Sequence, residues 1–186
     1  MPVTEVRWHG RGGQGAVTSA ELVALAAINQ GKYAQSFPSF GPERRGAPVQ
    51  AFLRVSNDEP IRVRAEISQP DVVVVLNPDL LRVVNVTAGL KEGGALIVNT
   101  KKSLAEIKTA YGEHYRVATV DAIKIARESI GLPITNTTMI GALLKVIRLV
   151  ELDDMVEPLQ HRFGKVADKN INAMRRAYQE TVVEEQ

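Results

Sequence analysis

The chain has 186 residues, with 45% hydrophobic and 24% charged side chains, which suits a soluble domain able to bury a core without staples. Its 23 Lys+Arg against 21 Asp+Glu leave a formal net charge of +2, too small to drive the clustered phosphate contacts of a nucleic-acid binder. There is no cysteine, so there is no disulfide, no thiolate nucleophile, and no sulfur ligation of zinc or an iron–sulfur cluster.

The start, Met1-Pro2-Val3-Thr4-Glu5, carries neither the basic nor the apolar region of a signal peptide. No apolar stretch approaches the roughly 18 residues of a membrane span. The expectation is a cytoplasmic protein that binds neither membrane nor nucleic acid. Val6 and Trp8 alternate with Arg7 and His9 as a first strand. Gly10-Arg11-Gly12-Gly13-Gln14-Gly15 follows, then a helix from Ala16 to Gln30, closed at Gly31. Tyr33 to Phe37 reads as a strand, and Pro38 to Pro48, with three prolines and two glycines, as a loop. Val49 to Val55 alternates as a strand. Asn57-Asp58-Glu59-Pro60 is turn chemistry, which predicts that Ile61 to Arg64 pairs back as a hairpin.

Val72 to Leu76 is an unbroken apolar run of the kind buried on both faces of a parallel sheet, Ala95 to Asn99 reads as a second buried strand, and Arg116 to Val120 as a third. Leu80 to Val86 fits a short helix, and Ala122 to Ile130 another, closed by Gly131. Asn136-Thr137-Thr138 suits the cap of a helix from about Met139 to Val150. Asp153-Asp154 begins a further helix, and Ala167 to about Val183 is the last, with Glu184 to Gln186 fraying. These elements predict an α/β, three-layer Rossmann-like fold with a mostly parallel sheet, an antiparallel hairpin at one side and C-terminal helices. One domain of residues 1–186 is expected, with its core over about 5–150 and a helical extension over about 151–186.

Gly10, Gly12 and Gly15 satisfy G-x-G-x-x-G between a strand and a helix. Two readings stand side by side. The glycines let backbone amides approach an anion such as a diphosphate at the helix N-terminus, or they only permit a tight turn. A nicotinamide dinucleotide would call for an acid at the end of the second strand; Tyr33 to Phe37 has none, and the next acid is Glu43. Arg44 and Arg45, framed by Gly and Pro, suit phosphates or a partner's carboxylates, or form a solvated loop with Glu43. His9 either donates to a phosphate or is a plain strand-end residue. Lys101-Lys102 is a turn at a strand's carboxyl end, and Asn136 is a cap or a ligand contact. The histidines His9, His114 and His161 show no metal spacing, and no general base or nucleophile stands out, so a stand-alone hydrolase is hard to build.

Arg7 to Thr18, read R-W-H-G-R-G-G-Q-G-A-V-T, resembles the gamma subunit of 2-oxoacid:ferredoxin oxidoreductases, most closely the pyruvate type. Ser39 to Val49 (S-F-G-P-E-R-R-G-A-P-V), Pro70 to Val74 and Asn136 to Ala142 extend the resemblance from about Glu5 to Val150. It implies a heteromeric enzyme that converts pyruvate and coenzyme A to acetyl-CoA and CO₂, passing electrons to ferredoxin. Thiamine diphosphate with its Mg²⁺ and the iron–sulfur clusters would belong to alpha, beta and delta subunits. This chain would supply no catalytic residue and hold no metal. It would help hold the coenzyme A phosphates through Gly10, Arg11, Gly12, Gly13, Gln14, Gly15, Arg44 and Arg45, with Asn136 nearby. The other readings are a related enzyme for branched-chain, aromatic or indole 2-oxoacids, a stand-alone dinucleotide-binding protein, and a purely structural subunit. In isolation, surfaces meant for other subunits can pair as a homodimer.

Overall fold

The computed structural model describes residues 3–39 and 44–185. A seven-stranded sheet runs in the order β2-β3-β1-β4-β5-β6-β7. Its middle is parallel: β1 (Thr4–Arg11), β4 (Val72–Val75), β5 (Ala95–Asn99) and β6 (Arg116–Val120). On one side β3 (Pro48–Ser56) pairs antiparallel with β1, and β2 (Tyr33–Pro38) antiparallel with β3. On the other, a short β7 (Val182–Val183) pairs antiparallel with β6.

Both faces are covered, as the apolar runs require. Val72 and Val74 face one core and Val73 and Val75 the other, and none of the four is more than 2% exposed. Each such side chain contributes roughly 1.5 kcal/mol or more by leaving water. The front core takes α1 (Ala16–Asn29), α4 (Ala122–Ser129), α5 (Asn136–Val146), α6 (Val156–Phe163) and α7 (Ala167–Glu180). The back core takes α2 (Leu80–Val83) and α3 (Leu104–Tyr111). α5 is buried along its whole length up to Leu144, so it is a central helix with little polar face.

The back of β1 and β3 is polar. By register Glu5, Arg7 and His9 lie beside Arg54, Phe52 and Gln50. Arg7 is 5% exposed and has no carboxylate partner among the described residues. Burial lowers its pKa, and its guanidinium is held by the carbonyls of Ile67 (3.4 Å), Val86 (3.0 Å) and Ala88 (2.6 Å). Arg54 pairs with Glu5 at 2.8 Å and donates to the carbonyls of Val63 and Ala65. The two arginines thus fasten the irregular segments that cover this part of the sheet.

That fastening corrects the expected hairpin. Residues 61–64 form no strand, because β3 is already flanked on both sides by β1 and β2 and has no edge to offer. The antiparallel strands on that side of the sheet are β3, paired with β1, and β2, paired with β3. The C-terminal end also differs. α7 stops at Glu180 and Val182–Val183 joins the sheet. Glu184 does not fray: its amide donates to Val117 O at 3.0 Å, and its carboxylate takes the Val117 amide and the Lys108 ammonium.

The crossovers diverge where a ligand site is expected. α1 leaves β1 for the front layer, and α2 leaves β4 for the back. The carboxyl ends of β1 and β4 therefore border a crevice at the switch point of the sheet.

Candidate functional site

The glycine turn leaves β1 at this crevice. Gly10 lies so close to β4 that a Cβ there would be 3.2 Å from Leu76 Cδ1. Gly13 has φ +89° and is exposed, with nothing within 4 Å of where a Cβ would sit. Gly15 has φ +82° and is the N-cap residue of α1. A side chain at Gly15 would meet Asn136 Nδ2 at 2.7 Å. Gln14 braces the turn from inside: its Oε1 accepts the Arg11 amide at 2.7 Å, and its own amide donates to Arg11 O at 3.0 Å.

The second arginine loop is strapped onto this turn. The Gly12 amide donates to Ala47 O at 2.9 Å, and the Gly46 amide donates to Gly12 O at 3.3 Å. Arg11 Nη1 donates to Gly46 O at 2.9 Å. A Cβ on Gly12 would stand 2.6 Å from Arg44 O, so only glycine admits the strap. Arg44 and Arg45, both exposed, are thereby held at the mouth of the turn. Neither has a carboxylate partner among the described residues. Glu43, the expected counter-ion, and the rest of Phe40 to Glu43 lie outside the described residues.

Asn136 is not the cap of its helix. Thr135 occupies the cap position, and Asn136 is the first residue of α5, packed against Gly15. The Ser19 hydroxyl lies 3.0 Å from Gly15 O and 3.2 Å from Asn136 O. Two helix N-termini therefore meet beside the glycine turn, each with first-turn amides that its own helix cannot satisfy. Neither first turn carries an acid. The positive ends of two helices and the guanidiniums of Arg11, Arg44 and Arg45 make a concentrated positive potential suited to a di-anionic group.

His9 has no part in it as a cation. It is 3% exposed on the back face of β1, and its Nε2 accepts Arg7 Nε at 3.0 Å. Burial, helped by the Arg7 charge, pushes its pKa down to about 3. Lys101 and Lys102 lie farther along the same sheet edge, past the end of β5.

The dinucleotide reading loses its geometry here. The strand that follows α1 lies at the far edge, separated from β1 by the antiparallel β3. No position beside β1 is left for the acid that would take a ribose hydroxyl. The chain's own donors also do not suit a resident cluster or metal: it has no cysteine, and among the described residues no three His, Asp or Glu converge. No helix among the described residues is long and apolar enough to cross a membrane.

The model of the pyruvate ferredoxin/flavodoxin oxidoreductase family matches residues 5–180. The chain is 52% identical over 183 residues to the pyruvate/ketoisovalerate oxidoreductases common subunit gamma of Thermococcus litoralis, covering 97% of this chain and 98% of that one. It is 50% identical over 176 residues to pyruvate synthase subunit PorC of Methanothermobacter marburgensis, covering 94% and 96%. Its fold matches the crystal structure of the pyruvate oxidoreductase subunit PORC of Thermotoga maritima with a TM-score of 0.88 at 38% identity over the whole of both chains. The chain belongs to the pyruvate ferredoxin/flavodoxin oxidoreductase family, as a gamma subunit of the pyruvate type.

Proposed function

We propose that the chain works in the cytoplasm within an assembly of alpha, beta and delta subunits, and that its glycine turn holds the phosphates of coenzyme A while that assembly oxidises pyruvate. The overall reaction takes pyruvate and coenzyme A to acetyl-CoA and CO₂ and passes two electrons to ferredoxin. Thiamine diphosphate with Mg²⁺ supplies the carbanion chemistry and the iron–sulfur clusters carry the electrons, all in the partner subunits. The contribution of this chain is binding and orientation.

The strap between Gly12 and the 44–47 loop carries the reading. It sets two guanidiniums, with no carboxylate partner among the described residues, beside the backbone amides at a helix N-terminus, without the ribose-binding acid of a dinucleotide site. Coenzyme A offers a diphosphate and a 3′-phosphate to match. Gly13 and Gly15 let the backbone close on one anion, and Arg44 and Arg45 neutralise the rest. Gln14, Asn136 and Ser19 keep the turn in place.

The test is Arg44→Ala/Arg45→Ala in the assembled enzyme. Loss of charge-assisted contacts to phosphate should raise KM for coenzyme A about tenfold or more. KM for pyruvate should stay unchanged, since its chemistry lies elsewhere. An unchanged KM for coenzyme A would return the turn to a packing role and favour a purely structural subunit. The Thermococcus relative's name supports a second reading of substrate, in which one gamma chain serves both pyruvate and branched-chain 2-oxoacid enzymes. Mass spectrometry of chains that co-purify with this one separates the two.

A further inference from the structure

A second cleft opens on the same sheet edge, at the carboxyl ends of β4, β5 and β6. Its volume is about 380 Å³, within the range of small-molecule sites. Pro78, Leu81, Ile107 and Ile123 give it an apolar floor, and Lys101 and Lys102 stand at its rim. An adjoining cavity of about 350 Å³ shares Lys101 and adds Lys124 and Arg127.

Asp79 and Asp121 line the cleft as well, and the carboxylates here each have a partner. Asp79 pairs with Arg82 at 3.1 Å, Glu128 pairs with Arg176 at 2.8 Å, and Asp121 accepts the Lys124 amide at 3.0 Å. Glu106 lies within the field of Lys102, but its Oε2 takes both the Ser103 amide and the Ser103 hydroxyl. Lys101, Lys124 and Arg127 have no ion pair among the described residues. The floor is fixed as well. Asn99, 1% exposed, donates to Leu76 O at 2.8 Å and accepts the Ala122 amide at 3.0 Å, tying together the ends of β4 and β6. Thr100 Oγ1 accepts the Lys102 amide at 3.0 Å and shapes the turn that bears both lysines.

We infer that this cleft is a second anion site, for a phosphorylated ligand with a flat apolar ring, such as an adenine nucleotide. The ring lies on the apolar floor and the phosphates meet Lys101 and Lys102. β5 lies two strands from β1, roughly 10 Å along the sheet. The ligand is therefore either the adenosine end of the carrier held at the glycine turn or a free nucleotide. Occupancy of the cleft does not depend on the glycine-turn reading.

Equilibrium dialysis of ADP and of pyrophosphate against the full chain tests it. The chain should bind ADP, more tightly than pyrophosphate because of the ring. Lys101→Ala/Lys102→Ala, on exposed side chains, should weaken ADP at least about tenfold, and by more than Arg44→Ala/Arg45→Ala does. The source follows from the assembled enzyme: a raised KM for coenzyme A in the lysine variant identifies the carrier, and an unchanged one a free nucleotide. The inference is overturned if ADP does not bind, if the arginine variant alone loses it, or if the lysine variant binds ADP normally. It is also overturned if the lysine variant fails to assemble with its partner subunits while ADP shows no affinity for the cleft, since the lysines would then face a protein.

Discussion

Gly141→Ala should destabilise the chain by about 3–4 kcal/mol, the size of a severe overpacking defect with no room to relax. Helix propensity alone points the other way, since Ala in a helix interior is favoured over Gly by about 1 kcal/mol. The crossing of α5 and α7 decides the sign. A Cβ at Gly141 would stand 2.0 Å from Met174 O, 2.9 Å from Met174 C and 3.0 Å from Tyr178 N. All three are helix backbone, so no side chain can swing aside. The two helices must part, and α5 holds Asn136 against Gly15, so the glycine turn would shift with them. Urea denaturation gives the answer: a markedly lower midpoint is expected, and an unchanged or raised midpoint would mean the helices pack less tightly than described.

Acid should unfold the chain through His9. In the unfolded chain an imidazole takes a proton near pH 6.5; folded, buried His9 beside Arg7 does so only near pH 3. Between those values the unfolded state binds more protons, so stability is complete above about pH 6.5 and falls as the pH drops. The loss approaches about 1.4 kcal/mol per pH unit, or about 2–3 kcal/mol by pH 4.5. Glu106, held low mainly by the Ser103 amide, and Glu184, held low mainly by Lys108, act in the same direction at lower pH as they protonate. His9→Gln keeps an acceptor for Arg7 Nε and removes the titrating group. Its stability should fall less steeply than that of the natural chain between pH 6.5 and 4.5. Parallel curves would show that His9 is protonated in the folded chain.

The fold was legible where a local pattern matched the final environment. The apolar runs at Val72 and Ala95 are buried on both faces, and G-x-G-x-x-G does join a strand to a helix. It was illegible where distant groups decided. Residues 61–64 alternate like a strand, but Arg54 takes the Val63 carbonyl and β3, the strand they follow, has no free edge. Val182–Val183 reads as the end of a helix until β6 offers an edge. α3 buries Ile107 alone and so shows little apolar periodicity, although Ser103 and Glu106 spell out its capping box, in which each side chain takes the other's amide.

The candidate site was legible as three separate motifs, at 10–15, 44–45 and 136. What joins them is invisible to spacing: a backbone strap from Gly12 to Ala47, and Asn136 lodged against Gly15 rather than capping its own helix. Trp8 and His9 are neighbours in sequence yet lie on opposite faces of β1, and only the parallel register with β4 shows that His9 is buried behind the sheet. The lysine cleft needed the ends of three strands brought together before Lys101-Lys102 was more than a turn.

The most direct measurement is a structure of the assembled enzyme with coenzyme A bound. The diphosphate should lie within hydrogen-bond distance of the amides at the start of α1, with Arg44 or Arg45 on its oxygens. A diphosphate seated on another face of this chain, or a partner's side chain filling the glycine turn while coenzyme A is bound elsewhere, would contradict the account.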